Sequence, residues 1–186
     1  MKRRKLARRK WHIHSSMLKR HNAIISKGNF RFNAHIGQNG MTYSKKEGDL
    51  KTPAGIFRLI GFYHRQDKRK LIVTKGFISK PIKNNLGWCD DPKSFAYNKP
   101  VLLPTSYSHE KLYRSDNLYD IIAVFDANIK PIYKNRGSAI FLHIMRQGDE
   151  LDQGASFGTA GCLSLPYKHL EIVLKQVDKK TKFQFH

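Results

Sequence analysis

The residues best suited to covalent chemistry in this chain are Cys162 and His143, which lie nineteen positions apart. A cysteine attacks acyl carbons as the thiolate, and a free thiol, with a pKa of about 8.5, needs a base or a nearby positive charge to ionise. Histidine is the natural base because its free pKa is about 6.5. The pair has the residue types of a cysteine acyl-transferase, although either residue alone is more often a packed core residue.

The surrounding sequence indicates how the two residues meet. His143 ends the apolar run "SAIFLH", which predicts a strand, and the glycine-rich stretch "IMRQGDELDQGASFGTAG" predicts a loop leading back to Cys162. Gly161 has no Cβ, so the amides of Gly161 and Cys162 can approach a substrate oxygen as an oxyanion hole. Arg146 is a candidate substrate contact, because an arginine can bind a carboxylate with two hydrogen bonds. Taken alone, Arg146 also fits an ordinary surface charge.

This stretch resembles the catalytic signature of the L,D-transpeptidase (YkuD) family, in which a histidine and a spacer precede Ser/Thr-His-Gly-Cys, a hydrophobic residue and Asn or Arg. Here His143 is followed by fifteen residues and then by Thr159, Ala160, Gly161, Cys162, Leu163 and Ser164. Ala160 and Ser164 depart from the signature. The stretches "KKEGDLKTPAGIF", "GWCDDP", "LYDIIAVFDAN" and "GSAIFLHIMR" are similar to a bacterial subfamily, so the resemblance runs from about residue 11 to the end.

The resemblance implies a mainly β, β-sandwich-like domain with one or two short helices, acting on peptidoglycan stem peptides. Cys162 would attack the third stem residue and release the terminal D-alanine, with His143 carrying the proton under the guidance of a backbone carbonyl such as that of Ile144. An amine acceptor would give a cross-link, water would give carboxypeptidase action, and wall-protein attachment would use the same acyl-enzyme. Arg146 and Thr159 are then candidate contacts for the stem carboxylates, and no cofactor is implied. Anionic envelope polymers are further expected partners, the expected location is the periplasm or cell envelope, and the expected state is a monomer.

The chain predicts one domain over residues 11–186, without repeats or a Gly/Pro/Ser-rich linker. Strands are predicted at 11–14, 52–65, 69–80, 118–128, 138–144 and 182–185, and a hairpin or meander at 22–44 turns at 27–29 and again at 38–40. Leu170, Val173, Leu174 and Val177 recur at helical spacing and predict a helix over about 166–180. Residues 84–117 lack periodicity, which is typical of a lid or binding loop.

The net charge of +21 comes from 35 Lys and Arg against 14 Asp and Glu. It indicates attraction to polyanions and says nothing about the fold. Residues 1–10 hold seven of the basic residues and predict a solvated arm. No apolar run follows them as in a signal peptide, and no stretch has the ~20 apolar residues of a membrane helix. The excess forms no helical stripe that could read a groove, so no specific nucleic-acid binding is predicted. The alternatives are a basic nucleic-acid or polyanion-binding module without catalysis, or a silent domain of the same fold, which the departures at Ala160 and Ser164 would favour.

Several other residues of types that can react or bind metals are predicted to have structural roles. Cys89 lies beside acidic residues that disfavour a thiolate, so it is predicted to be structural. The two cysteines form no CxxC pair, and His12, His14 and His109 show no partner spacing, so no metal ligands are predicted. The closely spaced acids Glu47 and Asp49 predict a structural turn with a positive φ at Gly48.

Overall fold

A computed structural model describes residues 10–70, 75–148 and 158–186. Its strands are β1 (Lys10–Ser15), β2 (Asn22–Lys27), β3 (Phe30–His35), β4 (Met41–Thr42), β5 (Thr52–Pro53), β6 (Gly55–Phe57), β7 (Leu59–His64), β8 (Ser79–Pro81), β9 (Leu86–Cys89), β10 (Pro100–Leu102), β11 (His109–Lys111), β12 (Ile121–Phe125), β13 (Phe141–Ile144), β14 (Leu163–Leu165) and β15 (Lys182–Phe185). The described residues hold one helix, α1 (Tyr167–Lys175). The predicted mainly β class is confirmed.

Ten strands form one curled sheet in the order β6-β15-β1-β2-β3-β14-β13-β12-β7-β8. A sheet of this width curls because each strand twists relative to the next. The curl brings the ring of Phe125 in β12 to within 5.3 Å of Phe183 and 5.5 Å of Phe185, both in β15, between ring centroids. The two halves of the sheet therefore enclose a common core, as in the predicted sandwich-like arrangement.

The amino-terminal strands follow the predicted alternation. Trp11 and Ile13 of β1 are fully buried, whereas the intervening His12 is only partly buried. The hairpin between β2 and β3 turns at Gly28, whose φ of +58° lies in the left-handed region that favours glycine. The predicted turn at residues 38–40 is also present, but β4 then pairs with β5 rather than returning along β3.

Residues 52–65 form three strands rather than the single predicted strand. β6 pairs with β15 near one end of the large sheet, and β7 pairs with β12 near the other end. The break between them is held by Arg58, whose backbone N–H donates to Asp126 Oδ1 at 2.8 Å. Of the strand predicted at 69–80, the structure has β8, and residues 71–74 lie outside the described residues.

The predicted helix is present as α1 and buries Leu170, Val173 and Leu174 against the main core. It is shorter than the predicted span of about 166–180. Pro166 precedes its first residue as the amino-terminal cap, and the carboxyl end is capped by Gln176, whose N–H donates to the Val173 carbonyl at 3.0 Å.

Residues 84–117, predicted to be an irregular lid or loop, contain a second sheet of three strands in the order β10-β9-β11. These strands have three or four residues each, which is too few to show a periodicity in the sequence. Trp88 of β9 packs against Phe141 of β13 at 5.1 Å between centroids. The small sheet therefore covers the face of the large sheet that points away from the main core.

The amino-terminal arm stays a prediction. Lys10 is the first residue of β1, and residues 1–9 lie outside the described residues. Among the described residues, no helix has the length and apolar character needed to cross a membrane.

Candidate active site

β13 and β14 place His143 and Cys162 on the same face of the large sheet. The two strands are parallel, with Leu142 opposite Leu163 and His143 opposite Ser164. Leu142 and Leu163 point into the main core, so strand alternation directs His143, Cys162 and Ser164 to the other face. All three line one cavity of about 580 Å³.

His143 is held in one orientation and one tautomer. Its Nδ1 lies 2.8 Å from the carbonyl oxygen of Ile144, which can only accept, so Nδ1 carries the proton and Nε2 the lone pair. The ring of Tyr119 meets the imidazole edge-on, with 5.2 Å between centroids. Burial lowers the pKa of His143 to about 4, although the bond to Ile144 acts in the opposite direction. The imidazole is therefore neutral at pH 7 and offers Nε2 as a base.

Cys162 is 6% exposed and rests as a neutral thiol. Its Sγ donates to the Ala139 carbonyl at 3.1 Å and accepts from the Phe141 N–H at 3.4 Å. Burial raises the pKa of the Cys162 thiol, and the negative charge of Glu110 raises it further. The geometry supplies a hydrogen-bonded thiol and a neutral base rather than a preformed thiolate–imidazolium pair.

A tight turn presents the cysteine. Gly161 has a φ of +149°, and a Cβ there would lie 2.9 Å from the Lys51 carbonyl oxygen, so the position requires glycine. Thr159 Oγ1 donates to the Cys162 carbonyl at 2.7 Å and accepts from the Gly161 N–H at 3.1 Å. These two hydrogen bonds favour a role for Thr159 in shaping the turn over the predicted contact with substrate. The Gly161 amide can serve an oxyanion only by sharing or leaving its bond to Thr159.

Thr52 is a further residue that builds the turn, and sequence reasoning missed its role. Its buried Oγ1 accepts from the Gly37 N–H and donates to the Gly161 carbonyl, both at 2.8 Å. One hydroxyl thereby fixes the loop after β3 to the turn that carries Cys162. The quoted stretch "KKEGDLKTPAGIF" contained this threonine, but only a long-range contact reveals its partner.

The remaining predicted site residues lie around the cavity. Arg146 is exposed at the cavity wall, where its guanidinium can reach a ligand. Ala160 is exposed on the same wall, so the departure from histidine leaves this position open to solvent. Ser164 is 2% exposed and lies in β14, opposite His35 of β3.

Part of the cavity wall is rich in charge, and sequence reasoning missed it. Glu110 of β11 is partly buried, and desolvation of its carboxyl raises its pKa; it accepts a short hydrogen bond from the Tyr119 hydroxyl. Arg114 lies with its guanidinium carbon 5.3 Å from the Tyr119 ring centroid and pairs with Asp116. Glu110, Arg114 and Asp116 come from the aperiodic stretch 84–117, where the run "HEKLYRSD" gave no signal beyond its charge.

The loop after β4 completes the wall. Lys45 is 8% exposed, pairs with Asp49 and donates to the Lys46 carbonyl at 3.0 Å. The Asp49 carboxylate also accepts from two backbone N–H groups, and Gly48 has a φ of +71°, so the predicted structural turn is confirmed. Glu47 faces the cavity and accepts from the Tyr97 hydroxyl.

The two cysteines are unpaired and differ in setting. Cys89 ends β9, is fully buried, and pairs in register with His109 of β11. Cys162 lines the cavity, whereas Cys89 is absent from the residues that line it. The contrast agrees with a structural thiol at position 89.

Comparisons with known proteins show the family to which this chain belongs. The sequence profile of the L,D-transpeptidase catalytic domain, YkuD, matches residues 16–184. No curated protein matches the chain. Among solved structures, "Structure of Bdellovibrio bacteriovorus Bd1075" aligns at 14% identity with a TM-score of 0.45, covering 95% of this chain and 47% of that one. The chain thus spans about half the length of that relative. Because the profile covers nearly the whole chain, this protein belongs to the L,D-transpeptidase catalytic domain family.

Proposed function

We propose that this protein is a cysteine-dependent L,D-transpeptidase that forms an acyl-enzyme at Cys162 with a peptidoglycan stem peptide. One observation carries the proposal: Cys162 and an Nδ1-protonated His143 share one cavity wall inside a domain of this family. The family implies an L,D-transpeptidase-type domain with a role in peptidoglycan. The nucleophile, the base and the acyl acceptor are what the proposal adds.

In the first half-reaction, Cys162 Sγ bonds to the carbonyl carbon of the third stem residue as its proton passes to His143 Nε2. The tetrahedral intermediate then collapses, the bond to the D-alanine nitrogen breaks, and His143 returns the proton to that leaving amine. In the second half-reaction the nitrogen of an amine bonds to the thioester carbon and His143 takes the proton of that amine. The carbon–sulfur bond then breaks, and His143 returns the proton to Cys162 Sγ. Water in place of the amine gives the carboxypeptidase reaction.

The oxyanion that forms in each half-reaction needs hydrogen-bond donors on the turn. The Cys162 N–H and the Gly161 N–H are the proposed donors. The Gly161 amide is reached by weakening its 3.1 Å bond to Thr159 Oγ1.

The resting thiol requires activation by the substrate. Sγ donates to the Ala139 carbonyl, and its pKa lies above the ordinary value. A substrate that fills the cavity displaces water and brings its carbonyl against Sγ, so that proton transfer to His143 accompanies attack rather than preceding it. The protein then avoids exposing a standing thiolate to oxidants and adventitious electrophiles.

The charges of the cavity wall suit a stem peptide, which carries both carboxylates and an amine. Lys45, Arg114 and Arg146 are cationic partners for carboxylates, and Glu47 and Glu110 are acidic partners for an ammonium group. The net charge of +21 favours residence near anionic envelope polymers. We therefore place the protein in the cell envelope, where members of the family typically act.

Intact-protein mass spectrometry after incubation with a stem tetrapeptide or a carbapenem tests the proposal. The expected result is one covalent adduct in the parent and in Cys89→Ala, none in Cys162→Ala, and release of D-alanine from the tetrapeptide. Folding of each variant is checked by its thermal unfolding. An adduct that follows Cys89, or none on folded parent protein, would overturn the assignment and favour a catalytically silent domain.

Addition of a second stem peptide as acceptor separates the possible outcomes of the acyl-enzyme. A dimeric peptide product indicates transpeptidation, and a tripeptide alone indicates hydrolysis. Retention of the thioester in the presence of both acceptors would contradict turnover.

A further inference from the structure

A cluster of three histidines lies on the outer face of the large sheet, away from the catalytic cavity. It comprises His12 and His14 of β1 and His186, which follows β15. Strands β2 and β3 separate β1 from β14, which follows the nucleophile, so the cluster is distinct from the active site.

The strand pairing explains why the three residues meet. β1 and β15 are parallel, with Ile13 opposite Phe185, and both of these side chains point into the core. Residues on either side of Ile13 therefore point outward, which places His12 and His14 on one face. The His186 N–H donates to the Ile13 carbonyl at 2.9 Å, which extends the pairing and brings His186 beside them.

The ring nitrogens converge. His12 Nδ1 lies 3.0 Å from His186 Nε2, and one nitrogen from each of the three residues lies within 4.8 Å of the others. The rings of His14 and His186 are stacked at 4.4 Å between centroids. Zinc binds imidazole nitrogen at about 2.0–2.1 Å, so two nitrogens on one ion lie a little over 3 Å apart. The exposed side chains of His14 and His186 can close the remaining gap by rotation.

We propose that His12, His14 and His186 form a binding site for a divalent transition-metal ion of the zinc and copper class. Three imidazoles are neutral ligands of intermediate softness, which select zinc, copper or nickel over magnesium or calcium, whose preferred ligands are oxygen atoms. The nearby Lys10 amino group donates to Gln184 Oε1 at 2.8 Å, so it is held by a neighbour outside the cluster. Water completes the coordination on the exposed side.

The bound ion clips together two strands from opposite ends of the sequence. β1 and β15 join near one end of the large sheet, with only β6 beyond β15. An ion that binds the folded chain alone stabilises it by mass action. The sequence analysis assigned no partner to His12 and His14 because His186 becomes their neighbour only through the pairing of β1 with β15.

Zinc titration by calorimetry at pH 7.5 tests the site, using Cys162→Ala protein so that the catalytic thiol and His143 cannot bind the ion together. One zinc ion per chain is expected, with a rise in the thermal midpoint of about 5–10 °C at a hundredfold excess over the dissociation constant. His14→Ala and His186→Ala are expected to weaken binding by at least about tenfold, the low end of what losing even an outer-shell partner costs.

His109→Asn is the matched control, since it removes an imidazole elsewhere, and its affinity is expected to equal that of the parent. Undiminished zinc binding in His186→Ala, or no zinc binding at all by the folded parent, would overturn the proposal. Because the assay measures binding in an inactive background, its outcome is independent of the proposed transpeptidase activity.

Discussion

The two faces of β13 and β14 do different work with alternate residues of the same short strands. One face carries Leu142 and Leu163 into the main core, both fully buried. The other carries His143 and, directly before β14, Cys162; His143 Nδ1 donates to the Ile144 carbonyl and Cys162 Sγ donates to the Ala139 carbonyl. A single period-two pattern thus separates residues that hold the fold from residues proposed to perform the reaction. Substitutions on one face should therefore be distinguishable from those on the other.

The largest effect is expected on the active-site face, in His143→Gln. Glutamine keeps a donor for the Ile144 carbonyl but cannot take a proton, so turnover should fall by about 100- to 10,000-fold. The rate of D-alanine release and the free energy of unfolding are measured together. Loss of turnover with nearly unchanged stability supports the division between the faces, and retained turnover would remove His143 from the mechanism.

Leu163→Ala tests the opposite face, one residue from Cys162. Removing a fully buried leucine side chain should lower the free energy of unfolding by about 2–5 kcal/mol, measured by urea denaturation. Leu102→Ala is the control, because Leu102 is 69% exposed and surface changes shift stability by about 0.5 kcal/mol or less. Acylation per folded molecule should change far less than in His143→Gln. An equal loss would show that the two faces are not separable.

His143, on the cavity face, should also make the stability of the whole domain depend on pH. Its folded pKa of about 4 lies below the unfolded value of 6.5, so the unfolded chain takes up the proton first as the pH falls. The contribution of neutral His143 to the free energy of unfolding is fully present above pH 6.5 and is lost as the pH falls to about 4. Its total is on the order of 3 kcal/mol. Chemical denaturation of parent and His143→Gln at pH 7.5 and pH 4 measures this difference, and identical profiles would contradict it.

The smallest effect is expected from Glu110→Gln, on the covering sheet. The carboxylate raises the pKa of Cys162, so its removal should lower that pKa and speed alkylation of the thiol by iodoacetamide at pH 8. An increase of a few-fold, up to about tenfold, corresponds to a fall of at most about one pKa unit. Glu171→Gln, which removes a carboxylate from α1, is the control and should leave the rate unchanged. A slower reaction in Glu110→Gln would reverse the assigned sign.

The parts of this fold that were predictable from sequence are those with a sustained pattern. The alternation in β1 and the spacing of Leu170, Val173 and Leu174 are local signals, and the structure has the strand and the helix they predict. The three short strands of the covering sheet carry no such signal. Their pairing depends on contacts with β13 and on each other, which a local pattern cannot contain.

The candidate site divides in the same way. Cys162 and His143 were found by residue type, spacing and family resemblance, and the structure places them on one cavity wall. Glu110 and Lys45 were not predicted as site residues, because their distance from Cys162 along the chain says nothing about their distance in space. The elevated pKa of the thiol was equally hidden, since it follows from burial and not from neighbours in sequence.

The hydroxyl of Thr52 has a consequence for the order in which the molecule becomes reactive. It joins Gly161 to Gly37, and Thr52 and Gly161 are separated by 109 positions along the chain. Contacts of such long range are among the slow steps of folding, because the intervening chain must first be closed into a loop. The turn that presents Cys162 thus takes shape only after distant segments have docked. A chain caught halfway through folding holds its cysteine on an unformed turn, so the proposed reaction at Cys162 would be confined to molecules that have finished folding.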